Sequence, residues 1–169
     1  MLAGYCNGSD FPECSLYSWA TNSLAAARAF DVGLELTGRE TWVSADHDRL
    51  LQVASNLVEN ALRETPPGGH VTVAVEPGLL TVADTGHGIA AEDLPRAFER
   101  FYLYDKVGKD RPVGSGLGLA IVQQLTRAMG GSVSVESGAA GTTFSVRLRP
   151  QLRGVHDFEV GAVERAERV

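Results

Sequence analysis

Asn56 and Asn60 stand four residues apart, and Arg63 follows three residues later, a spacing that places all three on one face if the segment is helical. A side-chain carbonyl is the hard-oxygen ligand that a magnesium ion carrying phosphate and water accepts, and a guanidinium offers a phosphate several N–H donors. Asparagine is a poor helix former beside Lys, Glu or Gln, so a merely solvated face has little use for two of them one turn apart. Further on, Asp84 precedes Gly86 and Gly88. A carboxylate beside backbone that can turn sharply is able to accept a hydrogen bond from an exocyclic amine, whereas the plain alternative is an ordinary Asp-Thr-Gly turn. Gly114, Gly116 and Gly118, with Ser115 and Leu117 between them, lead straight into an apolar segment. Permissive backbone and the positive end of a helix can together surround phosphates there, the alternative being a glycine hinge without ligand. The spacing is neither that of the dinucleotide fingerprint nor that of the P-loop, because the third glycine comes two positions after the second and no Gly-Lys-Ser/Thr follows.

The elements that must position these groups are legible from periodicity. Over Asp46 to Thr65, Leu50, Ala54, Leu57, Val58 and Ala61 gather on one side, with Gln52, Asn56, Glu59, Asn60 and Arg63 opposite, the pattern of an amphipathic helix. Pro66-Pro67-Gly68-Gly69 ends it. Val71, Val73 and Val75 alternate with smaller or polar residues, Pro77-Gly78 turns the chain, and Leu80 and Val82 resume the alternation; this predicts a β-hairpin ending at Asp84. Leu117 to Met129 reads as a second long helix stopped by Gly130-Gly131. Val133 and Val135, then Phe144, Val146 and Leu148 across Gly138 to Gly141, predict a last hairpin. Earlier, Leu24, Ala25, Ala27, Arg28 and Phe30 suit a short helix stopped at Gly33. Leu34 to Thr37 and Thr41 to Ala45 read as two short strands around a turn at Gly38. The sum is an α+β fold: a two-layer α/β sandwich with a mixed, mostly antiparallel sheet and helices on one face.

With 169 residues, 44% of them hydrophobic, the chain has the size of one domain with one core. Residues 1–17 read as a flexible leader, 18–150 as the domain, and 151–169 as a charged, unassigned tail. A net charge of −6 argues against a phosphate-neutralising surface for nucleic acid. No apolar run approaches the ~20 residues of a membrane-spanning helix, and the N-terminus lacks a targeting pattern, so a cytoplasmic protein is expected. Cys6 and Cys14 have no companions at zinc-ligand spacing.

The segments Asn56 to Ala61, Asp84 to Ile89, Phe98 to Tyr102 and Gly114 to Leu119 resemble, in this order, the asparagine, first glycine, phenylalanine and second glycine boxes of the ATP-binding catalytic domain of sensor histidine kinases. That family (the Bergerat or GHKL fold) lies within a wider group that includes the gyrase and MutL ATPases. The resemblance spans roughly Trp19 to Pro150 and implies ATP and Mg²⁺ as cofactors. Position by position it implies that Asn60 coordinates Mg²⁺, that Asn56 contributes to the phosphate and metal surroundings, and that Arg63 reaches the phosphates, making Asn60 and Arg63 the catalytic pair. Asp84 would bind adenine, Gly86 and Gly88 would shape its pocket, and Ile89 and Leu119 would be apolar neighbours of the base. Gly114, Gly116, Leu117 and Gly118 would take the phosphates at one end of a lid. Phe98 and Phe101 would anchor the lid's beginning, and Tyr102 to Val113 would form its variable part, with Arg100, Lys106, Lys109 and Arg111 as its cations. Thr142 matches a threonine that assists adenine recognition through water. Glu64 departs from the family, where Tyr or His is frequent.

The ATPases of the wider group carry a glutamate one turn before the magnesium-binding asparagine; here that position is Asn56, and an amide is no general base near neutral pH. Phosphoryl transfer is therefore expected rather than hydrolysis. His47, His70, His87 and His156 lack the family's acceptor context, so the resemblance implies a histidine acceptor in trans. That acceptor would sit on a helical phosphotransfer and dimerisation protein, with a response regulator downstream. The alternatives are a serine kinase of the anti-sigma-factor type, a non-catalytic ATP-sensing module, and an excised fragment of a full sensor kinase.

Overall fold

The computed structural model describes residues 2–4, 23, 26–38, 41–103 and 116–150. Seven strands and two long helices are placed among them: β1 (Leu2–Gly4), β2 (Gly33–Gly38), β3 (Thr41–Val43), α1 (His47–Glu64), β4 (His70–Glu76), β5 (Leu79–Asp84), α2 (Gly118–Ala128), β6 (Ser132–Gly138) and β7 (Gly141–Arg147). A 3-10 turn at Leu94–Arg96 precedes α2.

Helix α1 begins where Asp46 caps it, its carboxylate accepting the Arg49 N–H at 3.0 Å. It ends where Thr65 turns extended, with the Thr65 hydroxyl bonded back to the Ala61 carbonyl at 2.6 Å ahead of two prolines. Its buried stripe is Leu50, Val53, Ala54, Leu57, Val58, Ala61 and Leu62, which widens the expected face by Val53 and Leu62. This stripe packs on β4 and β5 and on α2, and α2 in turn packs on β6, so both helices lie on one face of the sheet. Val71, Val73, Leu80, Val82, Phe144 and Val146 meet them from the strands.

The main sheet runs β2-β4-β5-β7-β6. Only β2 and β4 are parallel; the other three pairings are antiparallel, so the expected mixed, mostly antiparallel sandwich is what forms. The two hairpins turn at Pro77-Gly78 and between Gly138 and Gly141, as the alternation predicted.

Three local expectations are corrected. The short early helix is left at Asp31, which adopts φ 55°, so Gly33 is the first residue of β2 and not the stop. Strands β2 and β3 do not form a pair about Gly38: β2 runs parallel to β4, while β3 runs parallel to β1 and bridges to Pro150. The parallel pairing requires a crossover, and α1 lies in it. Within the expected leader, Leu2–Gly4 is a strand on β3; residues 5–17 and the tail 151–169 lie outside the described residues.

Candidate nucleotide site

Asp84 occupies the last position of β5 with the inward parity of Leu80 and Val82, so a carboxylate stands where the core pattern calls for an apolar side chain. It is 6% exposed. One oxygen, Oδ1, accepts the Gly86 N–H at 2.8 Å and the Thr142 N–H at 3.2 Å; the other, Oδ2, is buried and has no hydrogen-bond partner among the described residues. Burial pushes the Asp84 carboxyl above its ordinary value, opposed by the two backbone N–H groups. A buried acceptor without a donor is a costly feature in a folded chain and points to a ligand that supplies one.

The loop after Asp84 is held on three sides. Thr85 exchanges two bonds with His70 at the start of β4: its N–H donates to the His70 carbonyl at 3.0 Å, and its Oγ1 accepts the His70 N–H at 2.9 Å. A Cβ at Gly86 would come 2.5 Å from the Glu64 carbonyl oxygen, so the loop lies directly on the last turn of α1, one turn after Asn60. Gly88 has φ 76° and lies against the Gly138 carbonyl, and the Ile89 N–H donates to Ser137 Oγ at 2.7 Å. Gly141, at φ 126°, leaves no room for a Cβ against the Asp84 carbonyl, so both glycines are required by their conformation and their neighbours.

On α1, Asn56 and Asn60 are partly buried, and the buried Asn56 Nδ2 has no partner among the described residues. Arg63 is exposed and reaches back to Glu59 at 3.5 Å, a pair one turn apart that leaves it at the rim. Glu64, the departure from the family pattern, is partly buried. Among the described residues no three His, Cys, Asp or Glu side chains cluster to hold a metal. The donor set on α1 consists of neutral amide oxygens, which fit a magnesium ion arriving with its phosphates rather than one bound by the protein alone.

Helix α2 starts behind Gly116, which has φ 65°, with Leu117 at its N-cap and no side-chain cap. Gly118 opens the helix, and Leu119 and Ile89 pack partly buried against the core. The Phe101 N–H donates to the Gly116 carbonyl at 3.0 Å, tying together the two ends of the expected lid. Gly114 and the cations Lys106, Lys109 and Arg111 lie outside the described residues. Arg100 is exposed and lines a groove of about 490 Å³ with Phe98, Gln123 and Arg127.

The lid anchor differs from expectation in one exchange. Phe98 anchors as expected, edge-on to Phe144 with ring centres 6.1 Å apart. Phe101, however, is 45% exposed at φ 62°, and Tyr102 takes its place: its hydroxyl donates to Asp93 Oδ1 at 2.7 Å and its ring lies 3.7 Å under the Arg96 guanidinium. Tyr102 therefore belongs to the anchor and not to the variable part. The residues that sequence reasoning missed are Asp93, Arg96 and Ser137. Only Ser137 left a signal, the inward parity it shares with Val133 and Val135.

A two-layer sandwich with an aspartate at a strand end that keeps one carboxylate oxygen unpaired, glycine loops on either side and two asparagines on the covering helix defines a nucleotide-binding domain of the Bergerat type. Residues 45–152 match the model of the histidine kinase-, DNA gyrase B- and HSP90-like ATPase family, and the chain belongs to that family. It is 37% identical over 120 residues to the sensor histidine kinase WalK of Bacillus subtilis (strain 168), covering 67% of this chain and 20% of the relative. The chain thus spans about a fifth of that protein's length. Among solved structures it resembles the mycobacterial sensor histidine kinase MprB (TM-score 0.65, 31% identity, 80% of this chain and 97% of that one). It also resembles full-length ShkA in complex with AMPPNP (TM-score 0.69, 29% identity, 88% and 32%). The domain is of the ATP-binding histidine-kinase type, and among the described residues no helix is long and apolar enough to cross a membrane.

Proposed function

We propose that this chain binds Mg²⁺-ATP and transfers the γ-phosphate to a histidine on a separate helical phosphotransfer and dimerisation protein. From there the phosphate passes to an aspartate of a response regulator, within a cytoplasmic two-component pathway. The observation that carries the choice of transfer over hydrolysis is the amide at position 56. The hydrolases of the wider group place a carboxylate there, whereas Asn56 can orient a ligand but cannot take a proton from water.

Asp84 Oδ2 would receive the adenine amino group, with Ile89 and Leu119 flanking the base and Thr142 acting through water. Gly86 and Gly88 keep the loop close enough for this. Gly114, Gly116, Leu117 and Gly118 would present backbone N–H groups and the positive end of α2 to the phosphates. Asn60, with Asn56 beside it, would hold the Mg²⁺ that neutralises phosphate charge. Arg63 would leave its pairing with Glu59, worth only ~0.5 kcal/mol on an exposed helix face, for a phosphate. What the domain supplies is position and charge neutralisation, which suffices for a loose phosphoryl transition state.

The acceptor is assigned to another protein because His47, His70 and His87 lack the family's acceptor context, His87 being an exposed loop residue between Gly86 and Gly88. His70 pairs with Glu35 at 3.3 Å and His47 contacts Asp48 at 3.3 Å. His47 also lies thirteen residues before Asn60, roughly 20 Å along the helix. The test is incubation with γ-labelled ATP, Mg²⁺ and candidate phosphotransfer proteins. Acid-labile, base-stable label on the partner is expected, and Asn60→Ala abolishes it without unfolding the domain. Acid-stable label would assign a serine kinase instead, label confined to this chain would refute the trans acceptor, and an unimpaired Asn60→Ala would refute the metal role.

A further inference from the structure

Three inward-facing polar side chains stand in register at one end of the sheet: Asp84 on β5, Thr142 on β7 and Ser137 on β6. Ser137 is the hub. Its Oγ accepts the Ile89 N–H at 2.7 Å, donates to the Gly141 carbonyl at 3.1 Å and lies 2.9 Å from Thr142 Oγ1. A serine hydroxyl has one proton and two lone pairs. With the proton on Gly141 and one lone pair on Ile89, the Thr142 contact can use only the remaining lone pair, so Thr142 is the donor. Its single proton thereby points away from Asp84, and toward the pocket Thr142 presents only lone pairs. Asp84 Oδ2, buried and without a partner, is an acceptor as well. The row offers acceptors alone.

We infer that Ser137 is a positioning residue that determines base specificity: by fixing the Thr142 proton it makes this row acceptor-only and selects a purine with an amino group at its six position over one with a carbonyl. The inference rests on the ATP-binding reading above. In the same pose a six-amino group supplies hydrogens to Asp84 Oδ2, whereas a six-carbonyl sets oxygen against oxygen there and leaves only the neighbouring N1–H as a donor; sites of this kind discriminate against the mismatched ligand because a buried polar group stays unpaired. Without Ser137 the Thr142 hydroxyl is free to rotate and donate to such a carbonyl. The Ile89 N–H also loses its acceptor, which loosens the loop and lowers affinity for every purine nucleotide alike. The ratio between two nucleotides therefore separates the specificity role from a merely structural one.

The experiment measures binding of ATP and of inosine triphosphate, which carries a six-carbonyl, to the intact chain and its variants, with thermal melting to verify folding. The wild type prefers ATP, Ser137→Ala narrows the ATP-to-inosine-triphosphate ratio by about tenfold, and Ser137→Thr, which keeps the hydroxyl, retains the wild-type ratio. If the alanine variant does not fold, Ser137→Cys, a much weaker donor and acceptor, is expected to narrow the ratio in the same direction. An unchanged ratio in a folded variant that still binds ATP overturns the inference and leaves the ATP reading standing. Equal loss of both nucleotides likewise overturns it, by reducing Ser137 to a structural role. A wild type that binds ATP without preference over inosine triphosphate refutes the acceptor-only row, and one that binds neither refutes the ATP reading and the inference with it.

Discussion

Asp84→Asn tests the proposed base-binding role of Asp84 with little disturbance of the fold. The wild-type Oδ1 is saturated by the Gly86 and Thr142 N–H groups at 2.8 and 3.2 Å, and an asparagine oxygen in the same place keeps both bonds. Its amide nitrogen must then occupy the position of Oδ2, so a donor replaces the one buried acceptor that faces the ligand without a partner. Losing a hydrogen bond to a charged group costs ~1.5–3 kcal/mol, or roughly 10- to 150-fold in Kd, and opposing the amino group with N–H donors adds to this. The stability of the free protein should change by less than ~1 kcal/mol, because the retained bonds compensate for the altered group. Isothermal titration with ATP reads the first quantity and urea unfolding the second. The pH profile gives a further check. Burial raises the Asp84 carboxyl above 3.8, so in the window from that value to the raised one the folded protein keeps a proton that the unfolded chain has lost. The contribution of Asp84 to stability is therefore greatest at low pH and declines as pH rises through the window. On the proposed reading ATP needs the carboxylate, so affinity in the wild type is expected to strengthen over the same interval, while the part of that rise due to Asp84 is missing from Asp84→Asn. An Asn variant that binds ATP within threefold of the wild type would refute the assignment of the orphan oxygen to the base.

Gly141→Ala forces a Cβ onto the Asp84 carbonyl from a backbone at φ 126°. It is expected to destabilise the domain by ~2 kcal/mol or more and to weaken ATP binding through displacement of Asp84 and Thr142, both readable by urea unfolding and titration; a neutral outcome would contradict the close packing of the two strands. Leu57→Ala empties a fully buried site on α1 and should cost ~2–5 kcal/mol in chemical denaturation; a loss below ~1 kcal/mol would contradict its place at the centre of the core.

What the sequence made legible, and what it did not, follows from how local each signal is. Helix α1 could be read nearly to the residue because its start at Asp46, its apolar stripe and its proline stop all lie within twenty-two consecutive residues. Both hairpins were legible because alternation and the turn are likewise local. The partners of β2 and β3 were not, since a parallel pair is joined through a whole helix and nothing in six residues of strand says which distant strand it will meet. The exchange of Phe101 for Tyr102 at the lid anchor was hidden for a related reason. Both are aromatic neighbours, and only the left-handed backbone at Phe101 and the presence of Asp93 nine positions before Tyr102 decide which one turns inward.

Strand parity carries the site further than the motifs do. Along β5 the inward positions run Leu80, Val82, Asp84; along β7, in the reverse direction, Val146, Phe144, Thr142; along β6, Val133, Val135, Ser137. In each strand the apolar series ends in a polar residue, and antiparallel pairing places all three endings at the same edge of the core. A polar residue at a buried position is costly unless it is satisfied, so buried Asp84 and Thr142, with half-buried Ser137 beside them, imply a mutual network. On the proton assignment inferred above, Thr142 and Ser137 spend their protons inside it and Asp84 has none to give, which leaves Asp84 Oδ2 as the buried atom of the row without a partner among the described residues. At this edge the inward rows of the sheet leave a buried acceptor open, and on the proposed reading a ligand bearing an amino group completes it.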